Sequence, residues 1–255
     1  MRVDAAFVRS EMLLGRAAME RLAQSRVAVF GLGGVGGAVV EALARTGVGA
    51  LDVIDKDTID ITNLNRQILA TYSTIGQLKT VAAASRIAEI NPACKVSEHP
   101  LFYLPDTADQ IDLSRYDYVV DAIDNVTAKL LLAERCYAAG VPLIAAMGAG
   151  NRLHAGGFTV ADIYDTCEDK LAKVMRRELR KRGIPALKVV YSPVPAVMPY
   201  ITNGQGERCR PPCPGSTAFV PPVCGLMLAA EAAADLVRDL AVSTPPSNAA
   251  VSAGS

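Results

Sequence analysis

A glycine-rich loop near the start of the chain constrains the fold more than any other feature. The loop Gly31-Leu-Gly-Gly-Val-Gly36 follows a short apolar strand and precedes a run with helical spacing. In such a unit Gly31 permits the tight turn, Gly33 and its neighbour Gly34 let the backbone approach a phosphate, and Gly36 lets helix and strand pack closely. Free N–H groups at the helix N-terminus attract the same anion. The loop predicts nucleotide binding; the alternative is a tight turn that binds nothing.

Short apolar strands alternate with helical patterns along most of the chain. This βαβ repetition predicts an α/β fold, a Rossmann-like, doubly wound and mostly parallel sheet. Its C-terminal extension adds strands, a basic helix and a crossover loop. We predict strands at 26–30, 50–54, 95–99, 118–122, 142–146, 158–163 and 187–192, and helices at 1–24, from the glycine loop to 46, and at 76–90, 125–139, 168–182 and 223–240.

The domain organisation follows from a change of pattern near residue 150. We expect one domain over 1–242, with a nucleotide-binding half over about 9–150 and a substrate-facing half over 151–242. The segment 193–222 is rich in proline and glycine and is expected to be an extended crossover loop. Residues 243–255 are rich in serine, alanine and proline, which is typical of a disordered tail.

Composition excludes few classes of function. The 255 residues are 51% hydrophobic, enough for a sizeable core, and 26 basic side chains balance 26 acidic ones. Net charge therefore argues neither for nor against nucleic acid, and only local clustering can. The six cysteines are scattered and no run has the length of a membrane span, so a cytoplasmic protein without a membrane contact is expected.

Charged residues downstream of the loop decide which nucleotide is expected. Asp55 lies 19 positions after Gly36, where a carboxylate can accept hydrogen bonds from ribose hydroxyls. Arg66 and Lys79 could neutralise phosphates, and Asp124 at the end of the fourth strand could hold Mg²⁺ between itself and those phosphates. Separately these residues could be solvated charges or, for Asp124, a helix N-cap. Together they favour ATP over a dinucleotide.

Several longer motifs are similar to those of one known superfamily. They resemble the ThiF/MoeB/HesA superfamily of ubiquitin-activating-like adenylyltransferases, and within it the tRNA threonylcarbamoyladenosine dehydratase (TcdA/CsdL) family. The motifs are Asp55-Lys-Asp57, Asn63-Leu-Asn65-Arg66-Gln67, Gly76-Gln-Leu-Lys79, Asp121-Ala-Ile-Asp124, Arg9-Ser-Glu-Met-Leu-Leu-Gly15, Met147-Gly-Ala-Gly-Asn151 and Gly215-Ser-Thr-Ala-Phe219.

The resemblance implies an activity and a set of site residues. Such enzymes use ATP and Mg²⁺ to adenylate the threonylcarbamoyl carboxylate on a tRNA adenosine, and the side chain then cyclises with net loss of water. Arg9, from the neighbouring subunit of a homodimer, would join Arg66, Lys79 and Asp124 as catalytic groups. The implied nucleotide contacts are Gly31, Gly33, Gly34, Gly36, Asp55, Asp57, Asn63, Arg66, Gln67, Lys79, Asp124 and Asn125, with Asp124 holding the metal.

A cluster of basic residues lies between 170 and 182. Positions 173, 177 and 180 share one helical face, as do 176 and 180. Such a stripe could neutralise tRNA phosphates, although an isolated basic helix is more often simply solvated. The tRNA contacts predicted from it are Lys173, Arg176, Arg177, Arg180 and Lys181.

Three other functions compete with tRNA modification. An adenylyltransferase that activates the C-terminal glycine of a ubiquitin-like sulfur carrier would use the same ATP site. Its relatives often carry two Cys-x-x-Cys zinc pairs, whereas this chain has only Cys209 and Cys213 at a wider spacing. A dinucleotide oxidoreductase leaves Arg9, Arg66 and Lys79 unexplained, and a non-catalytic nucleotide-binding protein would not need them. A sulfur-transfer or helper protein is a further expected partner.

Overall fold

The computed structural model describes residues 5–202, 208, 209, 211 and 213–240. Seven strands form one sheet in the order β3-β2-β1-β4-β5-β7-β6, with β6 antiparallel to β7 and every other pair parallel. This arrangement confirms the predicted α/β class. The strands are β1 (Arg26–Phe30), β2 (Ala50–Ile54), β3 (Lys95–His99), β4 (Tyr118–Asp121), β5 (Leu143–Ala146), β6 (Thr159–Asp162) and β7 (Lys188–Tyr191).

Helices cover both faces of the sheet. Because successive residues of a strand point to opposite faces, Val27 and Val29 of β1 join the core cluster built by α2, α3, α4 and α7, whereas Ala28 and Phe30 join the cluster around α5. The helices are α1 (Val8–Leu14), α2 (Arg16–Gln24), α3 (Gly36–Thr46), α4 (Lys79–Ile90), α5 (Val126–Ala139), α6 (Lys170–Lys181) and α7 (Val220–Leu236). None of the described helices is both long and apolar enough to cross a lipid bilayer.

The helix predicted over 1–24 is interrupted. Gly15 adopts φ 83° and ψ 159°, outside the helical region, and separates α1 from α2. Leu13, before this break, is 80% exposed, while Met19 and Leu22 of α2 are buried. Residues 1–4 lie outside the described part of the chain.

The helix predicted over 76–90 starts three residues late. Gly76 has φ 85°, and residues 76–79 pair with the segment after β2 through Gly76 N–Ile59 O at 2.8 Å and Lys79 N–Asp57 O at 2.9 Å. The conformations of Gly76 and of Leu78, which has ψ 138°, are not helical, so the helix cannot begin before Lys79. The result places Lys79, the first residue of α4, beside Asp57.

The crossover segment is shorter than predicted. Helix α7 begins at Val220 rather than 223, because prolines at the first helical turn lose only N–H groups that have no partner inside a helix. The helix ends at Leu236, before the predicted 240. Two short strands, β8 (Ile201–Thr202) and β9 (Arg208–Cys209), pair within the segment. Residues 203–207, 210 and 212, and the predicted disordered tail 243–255, lie outside the described residues.

A buried carboxylate ties the three strands on one side of the sheet together. Asp52 of β2 forms an ion pair with Arg26 at 2.7 Å, contacts His99 Nε2 at 2.9 Å and accepts a hydrogen bond from the Tyr116 hydroxyl at 2.9 Å. Burial alone would raise the pKa of Asp52, but the hydrogen bonds from Arg26, His99 and Tyr116 outweigh it and hold this pKa below its usual value. The network holds β2 in place just before Asp55.

We expect Asp52→Asn to lower the free energy of unfolding by about 3 kcal/mol at neutral pH, because Arg26 would lose its buried partner. A lowered folded-state pKa stabilises the protein above the unfolded value of about 4, and this contribution disappears as the pH falls below it. The difference between variant and wild type in urea unfolding should therefore shrink on acidification. The exposed Asp106→Asn is the matched control, and a difference that does not change with pH would contradict the expectation.

Candidate functional site

The glycine loop lies at the carboxyl end of β1 and is closely packed on its inner side. Gly31 has φ 85° and donates its N–H to Ile54 O at 2.8 Å. A Cβ at Gly36 would lie 1.7 Å from Gly31 O, so only glycine fits there. A Cβ at Gly33 would meet no atom within 4 Å, so a ligand can approach the backbone on that side. These geometries fit the tight turn at Gly31 and the close packing at Gly36, and the approach of a phosphate at Gly33 stays a prediction.

The predicted ribose acid is held by the backbone. Asp55 follows β2, and its carboxylate accepts hydrogen bonds from Leu32 N at 2.7 Å and Asp57 N at 2.8 Å. Lys79 Nζ lies 3.1 Å from Asp57 Oδ2 and 3.8 Å from Asp55 Oδ2. Although burial opposes it, hydrogen bonds and charge from Lys56 and Lys79 lower the pKa of Asp57. The structure thus brings Asp55, Asp57 and Lys79 together.

Arg66 lies against the glycine loop. Its guanidinium donates to Thr62 O at 2.8 Å and to Asn65 Oδ1 at 2.9 Å, and its Cγ would be 3.5 Å from a Cβ on Gly34. Asn65 therefore orients Arg66, a role that the sequence analysis did not assign to it. The only available signal was its position inside the motif that also contains Asn63 and Arg66.

Asn63 and Gln67 differ in what their side chains can do. Asn63 Oδ1 accepts a hydrogen bond from Asp60 N and completes a capping box, so this oxygen is used for local structure. Gln67 is buried, and its Oε1 has no hydrogen-bond partner within the described chain. An unpaired buried oxygen is costly, which fits a contact between Gln67 and a bound ligand.

Asp124 follows β4 and is exposed at the same edge of the sheet. The helix N-cap considered for Asp124 is made by Asn125, whose side chain accepts a hydrogen bond from Ala128 N at 3.0 Å. The pKa of Lys56 is raised mainly by its hydrogen bond with Asp57 and further by the charges of Asp55 and Asp124, so Lys56 lies close to this edge of the sheet. Because β1 lies between β2 and β4, these residues surround the point where the strand order reverses.

The carboxylates at this edge of the sheet suit a metal ion that is held by the protein and by a phosphate together. The described residues contain no group of three or more His, Cys, Asp or Glu side chains that could enclose a metal by themselves. Mg²⁺ commonly binds one or two carboxylates together with phosphate oxygens and water. Asp124, an exposed carboxylate at the same sheet edge as the glycine loop, fits that pattern.

Comparisons with known proteins agree with this geometry. The ThiF family model matches residues 7–249. The chain belongs to the ThiF family. A Bacillus subtilis protein named tRNA threonylcarbamoyladenosine dehydratase is 40% identical over 92% of this chain and 96% of its own length, and one of that name from Haemophilus influenzae is 39% identical over 73% and 74%.

Solved structures of ThiF-like enzymes show the same fold. The Escherichia coli tRNA threonylcarbamoyladenosine dehydratase in complex with AMP has a TM-score of 0.84 and 32% identity, covering 94% of this chain and 98% of the other. The dehydratase of that species is also solved in complex with ATP, with a TM-score of 0.83. This ThiF-family chain is similar to both of these structures over nearly its whole length.

Arg9, in the first turn of α1, directly follows residues that pack at the end of α3 remote from the glycine loop. Phe7 would be 3.7 Å from a Cβ on Gly47, just beyond the C-terminal end of α3, whereas the glycine loop precedes the N-terminal end of that helix. Eleven helical residues separate the two ends by about 16 Å. Arg9 is exposed and makes no ion pair within the described residues.

The basic helix of this ThiF-family protein is partly neutralised. Glu178 binds three cations, Arg177 at 2.9 Å, Lys181 at 3.0 Å and Arg182 at 3.1 Å, whose hydrogen bonds lower its pKa to about 2. Arg176 donates to Thr166 O, and Arg180 lies over the Tyr164 ring. The exposed members of the predicted tRNA-binding set are Lys173, Arg177, Arg180 and Lys181.

Two buried ion pairs were not predicted from the sequence. Asp121 and Lys129 lie 3.0 Å apart, essentially without exposure but poorly aligned for a hydrogen bond. Arg152 pairs with Asp169 at 2.9 Å, and Asp169 also caps α6 through Ala172 N. Asp169 could be recognised from the sequence as a helix cap, because it is an acidic residue directly before a helical run. No local pattern indicates that Arg152 is its partner.

Proposed function

We propose that this ThiF-family protein catalyses the ATP-dependent dehydration of threonylcarbamoyladenosine in tRNA. The observation that carries the proposal is the 40% identity to a protein of that name across 92% of the chain, joined to an intact nucleotide site. The substrate carboxylate attacks the α-phosphate of ATP and pyrophosphate leaves. The acyl-adenylate then cyclises and releases AMP, which retains the lost carboxylate oxygen. One ATP and one substrate molecule are thus converted into one AMP, one pyrophosphate and one cyclised product.

The site residues divide this chemistry among them. Backbone N–H groups of the glycine loop would bind phosphate, and Asp55 the ribose. Arg66 and Lys79 would stabilise the charge that develops as pyrophosphate leaves. Asp124 would hold Mg²⁺, which when bound supplies further positive charge to the phosphates. Asp57 keeps Lys79 in place through their 3.1 Å contact.

A homodimer is part of the proposal. Met12 and Leu13 of α1 are 79% and 80% exposed, and burying such side chains against a second copy would be favourable. Phe7, two residues before Arg9, lies at the end of α3 remote from the glycine loop, which favours action of Arg9 on the partner's ATP over action in its own subunit. We therefore propose that Arg9 completes the neighbouring site.

The tRNA surface is proposed on α6. Lys173, Arg177, Arg180 and Lys181 are exposed there, and charge contacts with tRNA would make binding sensitive to salt. Arg176, bound to Thr166, would contribute mainly by shaping the helix. The division into a nucleotide-binding and a substrate-facing half, a cytoplasmic location and a sulfur-transfer or helper partner remain predictions.

Activation of a ubiquitin-like sulfur carrier is the second candidate. The Escherichia coli molybdopterin-synthase adenylyltransferase is 40% identical, but over 57% of this chain and 57% of its own length. Its shorter coverage, and the lack of a metal-binding cysteine cluster within the described residues, favour the tRNA reaction. The oxidoreductase class explains the glycine loop and Asp55 but not the phosphate-directed cations.

The decisive experiment incubates threonylcarbamoyladenosine-bearing tRNA with the protein, Mg²⁺ and ATP, followed by mass spectrometry of the released nucleosides. We expect the modified nucleoside to lose one water only when ATP is present. Reactions without ATP and with unmodified tRNA are the controls. An unchanged nucleoside, with ATP–pyrophosphate exchange that requires a ubiquitin-like carrier, would contradict the proposal and support the second candidate.

A further inference from the structure

A short segment, residues 215–217, lies between the two halves of the protein. On the substrate-facing side, Asn151 N donates to Gly215 O at 2.8 Å, and Gly215 N donates to Asn151 Oδ1 at 2.7 Å. Asn151 holds φ 58°, a conformation that non-glycine residues rarely adopt. This paired contact, across 64 positions of sequence, fixes the start of the segment.

The other end of the segment is held at the nucleotide site. Asn65 Nδ2 donates to Ser216 O at 3.3 Å, while the Oδ1 of the same side chain binds Arg66. The chain then continues to Pro221, whose Cβ would lie 3.0 Å from a Cβ on Gly34. Residues 215–221 therefore run along Arg66 and the glycine loop, where adenylation would take place.

Two hydroxyl groups in this segment have no partner. Ser216 Oγ and Thr217 Oγ1 are both shielded from solvent, and neither makes a hydrogen bond within the described chain. A buried hydroxyl without a partner is unfavourable, and folded proteins normally avoid it or use it to bind something. Two such groups in succession, beside a phosphate-binding arginine, point to a ligand with acceptor oxygens.

We propose that the Ser216 and Thr217 hydroxyls donate hydrogen bonds to an oxyanion at the reacting centre, where the substrate carboxylate meets the α-phosphate. The inference rests on the proposed adenylation and names two further binding residues for it. Charge shifts between these oxygens as the acyl-adenylate forms, so hydroxyl donors on a segment whose backbone is held by Asn65 and Asn151 stabilise the transition state. Either the carboxylate or the α-phosphate could be the acceptor, and substrate-specific kinetics distinguish them.

The test uses variants that distinguish the effect of the hydroxyl group from the effect of the side-chain volume. Thr217→Val removes the hydroxyl and keeps the volume, Thr217→Ser keeps the hydroxyl and removes the methyl, and Ser216→Ala removes the second hydroxyl. We expect Thr217→Val and Ser216→Ala each to lower kcat/KM about ten- to hundredfold, with Thr217→Ser close to wild type. Their Tm values should be unchanged or higher, because an unpartnered hydroxyl is lost.

Tyr103→Phe is the matched control, since it removes another buried, unpartnered hydroxyl, within the hydrophobic cluster of Ile111 and Leu132. It should leave kcat/KM unchanged. A loss confined to kcat/KM for tRNA would identify the carboxylate as the acceptor, and weaker ATP binding by calorimetry would identify the α-phosphate. Wild-type kinetics in Thr217→Val and Ser216→Ala, equal losses in Thr217→Ser and Thr217→Val, or a clear fall in Tm would overturn the inference. An inactive wild type would instead reject the proposed function.

Discussion

Replacing Asp124 or Arg66 with alanine should each reduce ATP-dependent turnover by about two to three orders of magnitude. Asp124 is the free carboxylate at the sheet edge, and without it Mg²⁺ would lose its protein ligand. Arg66 lies against Gly34, and removing a fixed charge that stabilises the transition state typically costs this much. Release of AMP from ATP in the presence of the tRNA substrate is the appropriate measurement.

Both variants should keep the wild-type fold. Asp124 is exposed without a hydrogen bond in the described chain, and the Thr62 and Asn65 oxygens that Arg66 leaves can be hydrated. Asp106→Ala and Arg115→Ala, which remove exposed charges of the same types elsewhere, are the matched controls. Wild-type turnover in both Asp124→Ala and Arg66→Ala would reject the site assignment, whereas loss of the folded state would show a structural role.

The structure of the first 150 residues was predictable because its determinants are local. Strands β1, β2 and β3 have the predicted bounds, since each is a short run ended by glycine, proline or a charged loop. The boundaries that failed depended on backbone conformations with long-range causes. Gly76 does not begin α4, because it holds a non-helical φ of 85° where its segment bonds to Ile59 O after β2.

The structure beyond about residue 150 was less predictable, because contacts between residues distant in the sequence define it. Asn151 with Gly215, and Asn65 with Ser216, are separated by 64 and 151 positions, so no periodicity or spacing relates them. The basic cluster on α6 illustrates a different limit of prediction from the sequence. Its positions were clear from sequence, but the concentration of three cations on Glu178 depends on side-chain directions that a charge pattern does not reveal.

An Arg9→Ala chain paired with an Asp124→Ala chain should regain about half of the wild-type activity as a purified heterodimer, although each homodimer is inactive. In a two-fold symmetric dimer with Arg9 acting across the interface, one site receives both residues intact and the other receives neither. Co-expression with two different affinity tags would isolate the heterodimer for measurement of AMP release. The expected restoration follows from the proposed action of Arg9 across the interface, which rests on Phe7, two residues before it, lying near Gly47 at the C-terminal end of α3.

The control for this experiment pairs Asp124→Ala with Arg66→Ala. Both residues lie at the edge formed by β1, β2 and β4 of one subunit, so each site of that heterodimer lacks one of them and activity should stay absent. Restoration in the control would mean that the site itself is shared between subunits. No restoration with Arg9→Ala would mean that Arg9 does not act in the neighbouring site. The exposed side chains of Met12 and Leu13 on α1 would then need another explanation, because no dimer that serves catalysis would bury them.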